Sequence, residues 1–210
     1  MTLCLFGGAF NPPHLTHERV IKTALAQLPI ERVVVLPAGQ HPLKDAAEMP
    51  PGETRLELCQ LAFGELDRVD INDWEVRRDR PSYTVDTIQH FREYVTAGER
   101  PYWIIGSDNL KILTSWHRHT DLVELAMLAT VPRMGHPIDD QIFGELGLAA
   151  EQTAELRAHV LTMEPDDVSA SEIRARLSSG LAAASLLHPA VEQRIRARGL
   201  YGAAPTETDA

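Results

Sequence analysis

Residues 2–17, TLCLFGGAFNPPHLTH, constrain this chain more than any other stretch. Leu3, Cys4, Leu5 and Phe6 form a short apolar run that stops at a glycine pair, which predicts a buried strand rather than a helix. Gly7 and Gly8 let the backbone turn sharply or come close to a ligand. Pro12 and Pro13 stiffen the loop. A helical pattern then starts near His14, with Val20, Ile21, Ala24, Leu25 and Leu28 at the spacing of one face. Strand, glycine turn and helix start bring backbone N–H groups and the positive end of a helix together, a suitable seat for a phosphate. His14 and His17 are three residues apart and face one way on such a helix. The glycines fit neither the G-x-G-x-x-G dinucleotide fingerprint nor the P-loop.

The rest of the chain repeats the alternation. Arg32–Pro37 (RVVVLP) is continuously apolar, as a parallel strand covered on both faces would be, and completes a βαβ unit. The loop 38–52 carries His41 and Lys44; it is long enough to suggest function or mobility and otherwise reads as a solvated surface loop. Thr54 is expected to cap a helix to about Glu65, with Leu56, Leu58, Leu61, Ala62 and Leu66 as its apolar face. Strands are predicted near Val69–Asn72 and over the strand-like WEVRR at 74–78. A helix follows the Pro-Ser-Tyr at 81–83 and runs to about Val95. Tyr102–Ile105 and Met127–Val131 read as buried strands, and 139–158 as acidic, peripheral helix. His159–Met163 is predicted to be the last parallel strand. Ser169 and Glu172 have capping-box spacing ahead of a helix, and Ser171 is an alternative cap. A Pro-started helix with Val191 and Ile195 on one face ends near Gly199.

This order predicts an α/β, doubly wound, mostly parallel sheet of five or six strands, Rossmann-like, with a small helical C-terminal subdomain. One domain is expected over 1–202, the helical part over about 164–202, and a disordered tail over 203–210. A net charge of −10 and a pI near 5.3 exclude a protein that wraps nucleic acid nonspecifically. Two cysteines, Cys4 and Cys59, supply neither a disulfide framework nor a zinc ribbon, and Cys4 reads as a small core residue. With no basic leader ahead of the first strand and no membrane-length apolar run, the expectation is a cytoplasmic protein without membrane or nucleic-acid partners.

GGAFNPPHLTH resembles the GG(T/S)F(D/N)PxHxGH signature of the nucleotidyltransferases, which attach AMP or CMP to a second substrate. The Asn-Pro-Pro-His form is most similar to the bacterial nicotinate mononucleotide adenylyltransferases of NAD biosynthesis. Thr16 departs from that pattern, standing where the family has Gly; its Cβ and hydroxyl would either crowd a nucleotide or donate to it. VSASEIR at 168–174 resembles the family's ISSTxIR, PSYT at 81–84 its acceptor segment, and IIGSDNLKILTSW at 104–116 its IIGxDxLxxLxxW.

The resemblance implies AMP transfer from ATP to nicotinate mononucleotide, with Mg2+ accompanying ATP. It assigns His14, His17 and Arg174 to catalysis. ATP would be bound by Gly8, Ala9, Phe10, His14, His17, Gly106, Asp108, Ser169, Ser171 and Arg174. The pyridine mononucleotide would meet Lys44, Tyr83, Thr84, Trp116 and Arg133. Without the motif, Tyr83 and Trp116 would read equally or better as packing residues, and Arg133 as a surface arginine. Three other readings stand beside it: a relative using nicotinamide mononucleotide or phosphopantetheine; a hydrolase with a metal on His14, His17 and His41; and a nucleotide-binding protein without catalysis, suggested by Thr16.

Overall fold

The computed structural model describes residues 1–40, 49–164 and 168–204. Strand β1 (Leu3–Gly8) sits at the centre of a five-stranded sheet. It pairs on one side with β2 (Arg32–Pro37), which pairs with β3 (Val69–Ile71), and on the other with β4 (Tyr102–Gly106), which pairs with β5 (Met127–Val131). Every pairing is parallel, with Gly8 opposite Pro37 and Gly106 opposite Val131 in register. The order β3-β2-β1-β4-β5 reverses direction at the β1/β4 junction. Ligands in such sheets bind beyond the carboxyl ends of the strands where the order reverses, and there the two glycine turns lie.

Side chains alternate across the strands and feed two cores. Cys4, Phe6, Val33, Val35, Ile104 and Ala129 face α1 (Leu15–Gln27) and α2 (Gly52–Phe63). Leu3, Leu5, Val34, Leu36, Trp103 and Leu128 face α3 (Thr84–Phe91), the one-turn α4 (Ser107–Leu110) and α5 (His119–Leu125), joined by α6 (Asp140–Glu145) and α7 (Ala150–Ala158). The last helices, α8 (Ala170–Ser178) and α9 (Pro189–Ala197), bury Ile173, Leu177, Val191 and Ile195 completely in the first core. Removing each of those side chains from water supplies about 2 kcal/mol. Glu57 of α2 pairs with Arg194 and Arg198 around α9 and fixes its approach.

Three local expectations are corrected. The segment 74–78 is a turn, not a strand: the Asn72 side chain accepts from the Trp74 N–H and the chain folds back so that Glu75 points inward. His159–Met163 makes a single bridge to β5, Val160 to Thr130. Beyond it, the backbone of Thr162 is claimed from both sides by the Gln27 amide of α1, at 2.7 and 2.8 Å, and leaves the sheet. Helix α2 begins at Gly52 with Pro51 as N-cap, so Thr54 is not the cap. Its buried face is Arg55, Leu58, Cys59, Ala62 and Phe63, rotated from the expected leucine stripe.

Candidate active site

The turn after β1 is built by close packing. A Cβ on Gly7 would lie 2.3 Å from the Trp103 ring of β4, so only glycine lets these strands meet there. Gly8 accepts from the Ala38 N–H at 2.8 Å, which carries the β1–β2 pairing one residue past the sheet. Phe10 follows in the left-handed region at φ 44° and is buried edge-on against Phe6, 5.3 Å between ring centres.

His14 is the N-cap of α1, as the sequence implied, and is almost wholly buried. Its backbone N–H donates to His17 Nδ1 at 3.2 Å, and the two rings lie 3.7 Å apart at 35°. Because Nδ1 of His17 accepts, the proton of its neutral ring sits on Nε2, which becomes a donor. His17 also packs on Phe10, at 4.9 Å. Thr16 is buried, so the fold takes its Cβ and hydroxyl inside rather than presenting them on the open face.

The second motif arrives from the far end of the chain. Ser169 caps α8, its Oγ accepting from the Glu172 N–H at 3.1 Å. Ile173 locks the helix into the core, and Arg174, the next residue, reaches back to donate to the Asn11 carbonyl at 2.9 Å. Ser171 does not cap; its hydroxyl accepts from the other Arg174 nitrogen at 3.2 Å. Residues 163 apart are thus in direct contact, and an α8 guanidinium stands beside the Gly8–His17 turn.

At the end of β4, a Cβ on Gly106 would strike the Asp108 carboxylate at 2.2 Å. Ser107 is fully buried and ties β4 to β5, donating to the His136 carbonyl and accepting from the Arg133 N–H. Arg133 lies 3.9 Å from Asp108 Oδ1, an oxygen that is buried and has no hydrogen-bond partner among the described residues. Tyr83 is the N-cap of α3, and Thr84 is its first residue. The Tyr83 ring packs 4.4 Å from His117, beside Trp116, which is half-buried against the second core. Lys44 and His41 lie outside the described residues.

Sequence reasoning passed over two buried charges beneath this surface. Arg55 is 1% exposed. Glu75 is 4% exposed and accepts from Thr87 Oγ1 at 2.7 Å and from the Ser82 hydroxyl. Burial pushes the Glu75 carboxyl up to about 7, against the opposing pull of those hydroxyls, Arg78 and Arg55. The signal was present for Arg55: it occupies the inward position of a face it shares with Cys59 and Ala62 at four and seven residues. Nothing in the sequence distinguished Glu75 from its charged neighbours. Cys4 and Cys59 are free and buried, their thiols pushed up by burial. Among the described residues, no group of three or more His, Cys, Asp or Glu could hold a metal ion, and no helix is long and apolar enough to cross a membrane.

A Rossmann-like sheet with two glycine turns at its point of reversal, and a distant helix closing over one of them, defines a nucleotide-handling class. Residues 5–176 match the cytidylyltransferase-like family, and the chain belongs to it. Within it the resemblance is to nicotinate-nucleotide adenylyltransferases. A probable nicotinate-nucleotide adenylyltransferase of Albidiferax ferrireducens is 34% identical, the match covering 94% of this chain and 96% of that one. One of Nitratiruptor is 36% identical over 66% of this chain and 77% of its own. The fold is similar to that of a Plasmodium falciparum nicotinic acid mononucleotide adenylyltransferase solved with NaAD. That similarity has a TM-score of 0.75 and 18% identity, covering 97% of this chain and 98% of that one.

Proposed function

We propose that this protein transfers AMP from ATP to nicotinate mononucleotide, giving deamido-NAD and pyrophosphate, as a cytoplasmic step of NAD biosynthesis. The observation that carries the reading is the Arg174–Asn11 contact, which joins the two phosphate-type motifs at one strand end. A 5′-phosphate oxygen of the mononucleotide attacks the α-phosphorus of ATP. The new P–O bond forms as the α–β bridging bond breaks, and pyrophosphate takes the electron pair. A phosphate monoester is already nucleophilic near neutral pH, so alignment and charge stabilisation are what the protein must supply.

In this reading His17 donates from Nε2 to a phosphate oxygen, His14 fixes His17 from beneath, and Arg174 neutralises charge on the transferring or leaving group. The turn at Gly8, Ala9 and Phe10 offers backbone donors, while Ser169 and Ser171 border the same phosphates. Asp108, whose Oδ1 makes no hydrogen bond among the described residues, suits a ribose hydroxyl beside Gly106. Tyr83, Thr84, Trp116, Arg133 and Lys44 serve the mononucleotide. If Mg2+ accompanies ATP, it would take phosphate oxygens and water as hard ligands and would supply compensation of phosphate charge. Residues 1–202 act as one domain with 164–202 as its helical part.

The test is pyrophosphate release with Mg2+ and ATP, run in parallel with nicotinate mononucleotide, nicotinamide mononucleotide and phosphopantetheine. Turnover is expected to be strongest with the first. In the same assay, folded His17→Ala should lose more than about tenfold in kcat. Turnover with another acceptor alone would discard the assignment of Tyr83, Thr84 and Trp116. An unchanged kcat in the variant would remove His17.

A further inference from the structure

Arg55 is a buried cation that the adenylyltransfer chemistry leaves unused. Four hydrogen bonds engage its guanidinium, and every acceptor is a main-chain carbonyl. Nε donates to Pro50 at 3.1 Å, one terminal nitrogen to Ala9 at 2.7 Å, and the other to Ala38 and to Gly39, the last at 3.1 Å. Among the described residues it forms no salt bridge; the acidic groups nearby, Glu75 and Glu53, act on it only at a distance. Burying a guanidinium without a carboxylate is costly; these hydrogen bonds offset part of that cost and fix the orientation of three loop segments. Those segments are the turn after β1, the turn after β2 and the entry to α2.

Orientation has a chemical consequence because the trans peptide unit is planar. Its C=O and the next residue's N–H point to opposite sides. A carbonyl drawn inward to Arg55 turns the following N–H outward. The rule can be checked at Ala38: its carbonyl faces Arg55, and the Gly39 N–H points the other way, donating to Ser82 Oγ at 3.3 Å. Applied to Ala9, whose carbonyl accepts from Arg55, it turns the Phe10 N–H away from Arg55.

The geometry points to Arg55 as a positioning residue that, by holding the Ala9 carbonyl inward, presents the Phe10 N–H as a backbone donor to a phosphate of ATP. Arg55 touches no substrate in this scheme; it acts through the peptide it holds. The identity of the anion rests on the function proposed above, but the presented donor does not.

The experiment uses the full chain and Arg55→Lys, which keeps the charge but cannot span four carbonyls. Pyrophosphate release should show the KM for ATP raised about tenfold, with the KM for the mononucleotide within about threefold. Titration calorimetry with Mg-ATP alone should show the same loss of affinity. A folded variant whose ATP affinity and KM stay within about twofold of the parent overturns the proposal, even if its Tm has dropped. If the variant does not fold, amide hydrogen exchange on the parent protein decides: Mg-ATP should slow exchange at Phe10, and unchanged exchange there overturns the idea. If the parent releases no pyrophosphate with any acceptor, the function reading falls, while the Mg-ATP titration and the Phe10 amide still decide Arg55.

Discussion

Two buried charges lie under the two halves of this site, and they are supported differently. Beneath the GGAF turn, Arg55 binds main-chain carbonyls, which cannot change state, through a group that stays charged at any ordinary pH. Beneath the Pro81–Thr84 segment, Glu75 binds the hydroxyls of Ser82 and Thr87 through a carboxyl that burial brings to about 7. Gly39 joins them, its carbonyl on Arg55 and its N–H on Ser82. In the function proposed here, the nucleotide half would rest on a fixed charge and the backbone, and the acceptor half on a titrating group and rotatable side chains. A triphosphate needs donors already in place, whereas a pyridine ring can be met by half-buried aromatic side chains that adjust.

The sharpest way to break this comparison is to disable the nucleotide half alone. Arg174→Ala removes a guanidinium from the phosphate turn while leaving Ile173 and the Ser169 cap in the core and at the helix start. We expect kcat/KM for ATP to fall by about two to three orders of magnitude. The KM for nicotinate mononucleotide should stay within about threefold. The Tm should move by only a few degrees, because the two hydrogen bonds lost are partly solvated. Steady-state kinetics with each substrate varied in turn would show it. An equal rise in both KM values would mean that the halves are not separable.

What the sequence made legible follows the same division. The apolar runs of β1, β2, β4 and β5 are too continuous for half-exposed strands, so the parallel sheet could be read directly. The start of α8 was also legible from the Ser169–Glu172 spacing, with Ser171 left as an alternative cap until its hydroxyl is seen on Arg174. Illegible were the features fixed by partners distant in sequence. Glu75 looked like part of a charged strand because its inward turn is set by Asn72, Ser82 and Thr87. The strand expected at His159–Met163 fails because Gln27, far back in α1, takes its backbone bonds. For Arg55 the helical spacing shared with Cys59 and Ala62 marked the position as inward, but an inward arginine makes sense only once four loop carbonyls are seen to converge.

The second prediction sharpens the contrast between a fixed and a titrating support. With a folded-state value of about 7 against an ordinary 4.5, Glu75 keeps its proton in the folded chain over that window and loses it in the unfolded one. Its contribution to stability is therefore fully present below about pH 4.5 and lost as pH rises through 7, amounting to about 3 kcal/mol. Arg78 and Arg55 oppose that loss by favouring the charged form, and the Ser82 and Thr87 hydroxyls act in the same direction. Urea unfolding at pH 5 and pH 8 should give a larger drop for the parent than for Glu75→Gln, which cannot ionise. Equal drops in the two proteins would show that Glu75 is ionised throughout.

The smallest effect belongs to the acceptor half itself. Trp116 is half-buried on the second core, next to the His117 that packs on Tyr83, so it has both a packing role and an exposed ring surface. Trp116→Leu keeps apolar contact with the core but removes the flat wall. Losing a stacked ring costs about 1 kcal/mol, so the KM for nicotinate mononucleotide should rise by up to about tenfold, with that for ATP unchanged. Stacking does not read the carboxylate, so the KM for nicotinamide mononucleotide should rise by the same factor and the preference between the two should persist. A fall in Tm with both KM values intact would return Trp116 to the core. A change in preference would assign it a part in reading the carboxylate.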